Sequence, residues 1–399
     1  ARTALTACTP PIEVRVQGRT APAGSRPTQH HTMSAQSLSL PRWIDIGLLP
    51  LWNLCIALAV AAGVVALIGH SPTQAFEVLI NGSLGNARGI GYTLYYATSF
   101  VFTGLAVAVA FHAGLFNIGG EGQATFAGLG LALCALFLGA NLPAALLLPL
   151  VVLSAAAFGA LWGLIPGYLQ AWRGSHIVIT TIMFNFLAAS LNVYLLVNHM
   201  RPAGSMSVES EPFPENAKLP LIADWAAKLG YEMPSSPLNA ASLLAVLACF
   251  LVGWFLWRTR AGYALRAVGS SPRAASYAGM NPRVQILVAM AFSGALAGMV
   301  AVNELSGVQG KLTLDFVAGA GFTGIAVSLM GRNHPVGIVL AALLFGVLYQ
   351  GGVEVAFELQ GFSREMVVTV QGLIVLFAGA MAMVSAPLFA KVYGVFKRG

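Results

Sequence analysis

Segment 113–123, AGLFNIGGEGQ, sets one acid among three glycines at the mouth of an apolar run. Gly119, Gly120 and Gly122 weaken a helix and let backbones approach closely. Asn117, Glu121 and Gln123 bring polar groups to the same place. Such a stretch suits a gate beside a solute pathway, and it also suits a tight turn between two spans. The general enrichment of glycine at helix contacts favours packing and gate architecture over a substrate ligand. Segment 174–189, GSHIVITTIMFNFLAA, carries Thr180, Thr181 and Asn185 on one helix. Thr181 and Asn185 are four apart and share a face. Uncharged polar groups inside a helix bundle suit a neutral polar solute such as a sugar or a nucleoside. Hydrogen bonding between helices is the commoner use of such groups.

The acids within or beside apolar runs are Glu121, Glu304, Asp315, Glu354 and Glu358. An ionisable group at membrane depth is a functional candidate by default. All but Glu121 fall near expected outer ends, within reach of water. No buried acid–base pair is evident, which weakens a proton-coupled mechanism. Gly307–Thr313 superficially resembles a phosphate-binding loop, but its first glycine is missing, Leu312 follows Lys311, and the strand–loop–helix context is absent. There is no nucleophile elbow and no zinc-protease motif. The expectation is a protein without a catalytic site or cofactor of its own. If the protein pumps, the energy must come from elsewhere.

Residues 258–283 hold Arg258, Arg260, Arg266, Arg273 and Arg283 and no acid. Between two apolar segments, such a loop is expected on the cytoplasmic side of a membrane. Within it, Ser271 can cap a helix, Pro272 suits the first helical position, and Gly279 can end the helix before Pro282. A capped basic helix kept in the cytosol is a surface to offer to another protein.

These residues require a membrane bundle to position them. The chain is 57% hydrophobic and 9% charged over 399 residues, where soluble domains carry about 25% charged residues. The net charge of +7 follows the positive-inside rule, so nucleic acid is not an expected partner. Cys8, Cys55, Cys134 and Cys249 are scattered and show neither a disulfide framework nor zinc spacing. Residues 1–42 are rich in Arg, Pro, Thr and Ser. They are expected to be a disordered tail, or translated sequence upstream of a start at Met33, and they lack the pattern of a cleaved signal.

The sequence predicts an all-α polytopic membrane protein with about ten spans, at 48–68, 92–112, 122–140, 143–168, 176–198, 238–257, 284–304, 315–331, 335–356 and 366–386. The eighth, with Gly319, Gly321 and Gly324, is expected to be short, broken or re-entrant. Arg42 precedes the first span, and Lys391, Lys397 and Arg398 follow the last, so both termini are expected in the cytoplasm. Loop 199–237 has five acids against three basic residues and six prolines, which suits an extracytoplasmic cap. The tail 391–399 is expected in the cytoplasm. Phe102-Thr103-Gly104 matches Phe292-Ser293-Gly294, and Phe126-Ala127-Gly128 matches Val317-Ala318-Gly319. An offset of five spans would make the two halves inverted repeats. Small residues common in membrane helices account for these matches equally well.

Four motifs, AGLFNIGGEGQ at 113–123, GSHIVITTIMFN at 174–185, LRAVGSSPRAASYAGMN at 265–281 and GFTGIAVSLMGRNHPVG at 321–337, resemble the permeases of bacterial ABC importers. The similarity covers about residues 43–390. It is greatest to the branched-chain amino acid, ribose and simple-sugar permeases, and within them to nucleoside-type permeases. The resemblance implies a type II ABC importer fold in the bacterial inner membrane. It implies ABC ATPase subunits, a second permease subunit of a different chain, and a solute-binding lipoprotein outside. It carries the ATPase-coupling role to Arg266, Ser271, Pro272, Arg273, Tyr277, Gly279 and Asn281, and leaves Arg258 and Arg260 as membrane-boundary anchors. The implied cargo is a nucleoside or related polar solute, with simple sugars as the nearest rival. An ion-coupled secondary transporter and a non-transporting scaffold are the more distant alternatives.

Overall fold

The computed structural model describes residues 48–231, 234–359 and 366–374, with positions 41, 44, 362, 376, 385, 387 and 389. The tail 1–40, the segment 390–399 and much of the expected tenth span lie outside the described residues. The described chain is helical, and its strand pairing is limited to two isolated bridges, Glu209 to Thr313 and Leu221 to Asn239. Its helices are α1 Leu49–Leu67, α2 Pro72–Leu84, α3 Ala87–His112, α4 Gly120–Leu138, α5 Ala144–Arg173, α6 Ile177–Leu195, α7 Ile222–Lys228, α8 Ala241–Arg258, α9 Arg260–Ser270, α10 Pro272–Tyr277, α11 Pro282–Ala301, α12 Ala320–Met330 and α13 Pro335–Glu358. Helix α6 continues through a π-helical turn, Leu196–Met200, and α11 through another, Val302–Gln309.

Seven of these, counting the π-helical extensions, are long and apolar enough to cross a membrane: α3, α4, α5, α6, α8, α11 and α13. The first predicted span, 48–68, coincides with α1, and a helix that the sequence did not predict, α2, follows it. Helices α1 and α2 form a pair bent by 119°, with Gly69 in the left-handed region at φ +97° and Pro72 opening α2. The eighth is shorter than a span. Helix α12 has 11 residues, about 16 Å at 1.5 Å per residue, or half of a roughly 30 Å hydrocarbon core. The expected loop 258–283 holds two helices, α9 and α10, where the sequence predicted one.

Two triplets of helices make the core. Helix α11 packs along α5 and α4, which pack on each other; α3 packs along α13 and α12, which also pack on each other. Glycines set the first of these contacts. A Cβ at Gly159 of α5 would strike the backbone of Gly294 on α11, and one at Gly294 would strike Gly159. Gly163 and Gly298 meet the facing backbone in the same way. Small residues four apart thus let α5 and α11 touch main chain to main chain. Helix α3 is buried along most of its length and also meets α8 and α9.

Segment 201–240 covers one end of the bundle, the cap end. Asn216 donates to the carbonyls of Gly139 and Leu142, each at 2.7 Å, and Ser306 donates to Ala217. Lys311 pairs with Glu209 at 2.7 Å, and this contact holds the Glu209 carboxyl below the usual glutamate range. The opposite end carries α9, α10 and the turn 331–334, and is called the elbow end below.

Candidate functional site

Helix α3 reaches the elbow end at His112, and the chain then turns back into the bundle. Gly114, at φ +74°, makes the reversal, and its missing Cβ leaves room for the backbone of Gly269 in α9. Segment 115–119 runs inward without helical structure before α4 begins at Gly120. Its depth follows from its partners. Asn185 holds it and lies eight residues into α6, about 12 Å along that axis.

Here the sequence candidates come together. The Asn117 amide donates to Gln123 Oε1 at 3.0 Å and to Ser293 Oγ at 2.9 Å, while its Oδ1 accepts from Gly119 N at 2.8 Å. Ser293, on α11, donates in turn to Ala106 O of α3 at 2.7 Å. Asn185 donates to Ile118 O at 3.0 Å and accepts from Gly122 N at 2.9 Å. The Thr181 hydroxyl donates to Ile177 O and receives Ile118 N. Asn117, Gln123, Thr181 and Asn185 are buried. Their polar atoms are occupied by protein partners, so the cluster ties α3, α4, α6 and α11 into one joint.

Glu121 extends the joint to α12. Its Oε1 accepts from Gly319 N and its Oε2 from Gly321 N, both at 2.8 Å. A carboxylate there compensates the unpaired amides and positive dipole end of a helix N-terminus. Gly319 is left-handed at φ +81°, and a Cβ on Gly321 would strike the backbone of Glu121. Helix α4 therefore runs from this point to the cap end and α12 runs from it to the elbow end, two half-helices meeting N-terminus to N-terminus. Thr180 stands apart: its hydroxyl returns to His176 O of its own helix at 3.0 Å.

A second polar cluster, nearer the cap end, was not anticipated from sequence. Glu304 was expected in reach of water at a helix end. It is partly buried, taking hydrogen bonds from Tyr95 and from Ser99 Oγ at 2.9 Å. Asn303 donates to Ser99 Oγ at 2.8 Å and to Tyr95 O at 3.2 Å, and receives Asn239 Nδ2 at 3.1 Å. The available signal was Asn303 beside Glu304 in an apolar run, facing a helix with Tyr95 and Ser99 four apart. Glu354 bonds Gln350 at 2.9 Å within α13, and Asp315 and Glu358 are exposed.

The basic segment forms an elbow. Thr259 donates to Phe255 O at 2.7 Å and caps α9 by accepting Gly262 N at 3.0 Å. Arg266 turns back, its Nε donating to Leu256 O at 3.0 Å; it braces α8 against α9. Leu265 and Val268 bury the inner face of α9. Ser271 Oγ accepts Ala274 N and caps α10, with Pro272 in the first turn. Gly279, at φ +81°, ends this segment, and Asn281 caps α11 through Arg283 N at 3.0 Å. Ala275 anchors α10, whereas Arg273 is exposed and Tyr277 is 94% exposed.

Bundle and joint together define a multi-pass membrane protein, with an exposed helix, α10, at its elbow end. The chain belongs to the branched-chain amino acid transport system / permease component family, whose model matches residues 89–379. It is 36% identical to the guanosine ABC transporter permease protein of Bacillus subtilis, over 84% of this chain and 93% of that one. It is 34% identical to the glucose ABC transporter permease protein of Haloferax volcanii (85% and 88% covered) and 32% identical to a nucleoside ABC transporter permease protein of Lactococcus lactis (86% and 93%). The chain is thus an ABC transporter permease. The ion-coupled alternative finds no support among these relatives.

Proposed function

We propose that this permease forms the transmembrane pathway of an ATP-driven importer for nucleosides in a bacterial inner membrane. Similarity to guanosine and nucleoside permeases supports that cargo; similarity to a glucose permease keeps simple sugars as the second reading. ABC ATPase subunits dock at the elbow end, a solute-binding lipoprotein docks on the cap, and a second, different permease subunit completes the pathway. Ten spans place the arginine-rich elbow and both termini in the cytoplasm, in keeping with the positive-inside rule. The reciprocal packing of α3 with α12 and α13, and of α11 with α4 and α5, supports two inverted halves.

Exposure of Arg273 and Tyr277 on a capped helix with a buried anchor carries this reading. ATP binding in the partner displaces α10. Helix α9 follows, because Arg266 and the Gly269–Gly114 backbone contact leave no slack. The push reaches segment 115–119 and the joint, where α4 and α12 pivot on Glu121 to alternate access. Such a shift requires the nucleotide-bound partner to bind the two arrangements unequally. The test is the Arg273→Ala/Tyr277→Ala double variant, scored by ATPase copurification and nucleoside uptake. Both are expected to fall; normal assembly with normal uptake overturns the docking role. Binding of a nucleoside and sugar panel to the cognate solute-binding protein decides the cargo.

A further inference from the structure

A groove of about 590 Å³ opens between the last turns of α8 and the first turn of α13. Phe250, Gly253, Trp254 and Trp257 form its apolar wall, and Arg258 and His334 stand at its elbow end. Gly253 faces open space in the groove: a Cβ there would meet only Pro335 Cγ, at 3.8 Å. The composition changes along its length from greasy to aromatic to cationic, the order in which a bilayer passes from acyl chain to interface to phosphate. His334 Nδ1 accepts from Val336 N, and the ring lies 5.0 Å from Trp257. Its Nε2 makes no hydrogen bond among the described residues.

The charge at this end has no answer within the neighbouring sequence. No acid occurs between Glu232 and Glu304 or between Asp315 and Glu354, the stretches that supply both walls. Among the described residues no carboxylate pairs with Arg258. We propose that the groove binds one anionic phospholipid, with an acyl chain along Phe250, Gly253, Trp254 and Trp257 and the phosphate at Arg258 and His334. The occupant lies against the α8–α9 elbow, so it stiffens the hinge on which α10 is carried. The site rests on the permease reading only in that this elbow must lie at a bilayer boundary.

Native mass spectrometry of the full chain in mild detergent, titrated with phosphatidylglycerol and with phosphatidylcholine, tests the site. Wild type is expected to prefer phosphatidylglycerol by about five-fold, the effect of one basic residue near a phosphate surface. Arg258→Gln removes the preference, Gly253→Leu removes the bound lipid, and Arg260→Gln, beyond the groove, changes neither. No preference in wild type overturns the proposal. So does equal loss in Arg260→Gln, which means diffuse surface charge, or conversion of dimer to monomer by Gly253→Leu, which means a second copy fills the groove. Size exclusion of each variant confirms folding. Failure of the permease reading shows separately, as absent uptake with the lipid preference intact.

Discussion

The joint at Glu121 and the elbow at Arg258–Asn281 use similar polar residues in opposite ways. In the joint, Asn117, Gln123, Thr181, Asn185 and Glu121 all have protein partners. In the elbow, Arg266, Ser271 and Asn281 serve local bracing and capping, while Arg273 and Tyr277 point away with no partner among the described residues. A buried polar group left unpaired costs free energy that an exposed one does not. The joint is therefore expected to hold the bundle together. Within the elbow, the exposed side chains of α10 contribute little stability and are available for contact. Stability and transport should separate cleanly between the two regions.

The largest expected effect is at Glu121. Glu121→Ala strips the compensation from two amides of α12, and hydrogen bonds to a charged group suggest a loss of about 3 kcal/mol or more. Denaturant titration in micelles measures it. Glu121→Gln keeps an acceptor oxygen and should recover roughly half. A variant as stable as wild type would mean that Glu121 does not bridge the half-helices. Next comes Asn185→Ala, which orphans Ile118 O and Gly122 N and is expected to cost about 2 kcal/mol. The Arg273→Ala/Tyr277→Ala double variant follows, with a stability change within about 0.5 kcal/mol and a severe loss of uptake. If it unfolds instead, the elbow is part of the scaffold and the contrast fails.

The long spans were legible because α3–α6, α8, α11 and α13 are predominantly apolar, and that signal is compositional. Helix α2 was hidden because PTQAFEVLINGSL mixes Glu77 and Asn81 into a short run that reads as a loop. Helix α9 was hidden by its arginines, although Leu265 and Val268 give it a buried face. The cap of α10 was readable since Ser-Pro and Gly279 act locally. The joint was only half readable. Its polar residues stood out, and so did the glycines of α12, but the bond from Glu121 to Gly319 joins positions 198 apart. Nothing in local periodicity encodes that pairing. The partners of Glu304 were hidden for the same reason, since Tyr95 and Ser99 reach it from a different helix.

Neighbouring threonines mark the edge of the joint most finely. Thr181 is buried and receives Ile118 N, whereas Thr180, one position earlier, bonds only to its own helix. Thr181→Ala should cost about 1 kcal/mol, the net value of an ordinary hydrogen bond. Thr180→Ala should stay within about 0.5 kcal/mol of wild type, as a surface change does. Transport sharpens the comparison further. If Thr180 contacts solute, its loss weakens uptake without touching stability, and the uptake KM rises while the denaturation midpoint stays put. If neither quantity moves, the joint ends at Thr181, and the solute path runs along surfaces other than this face of α6.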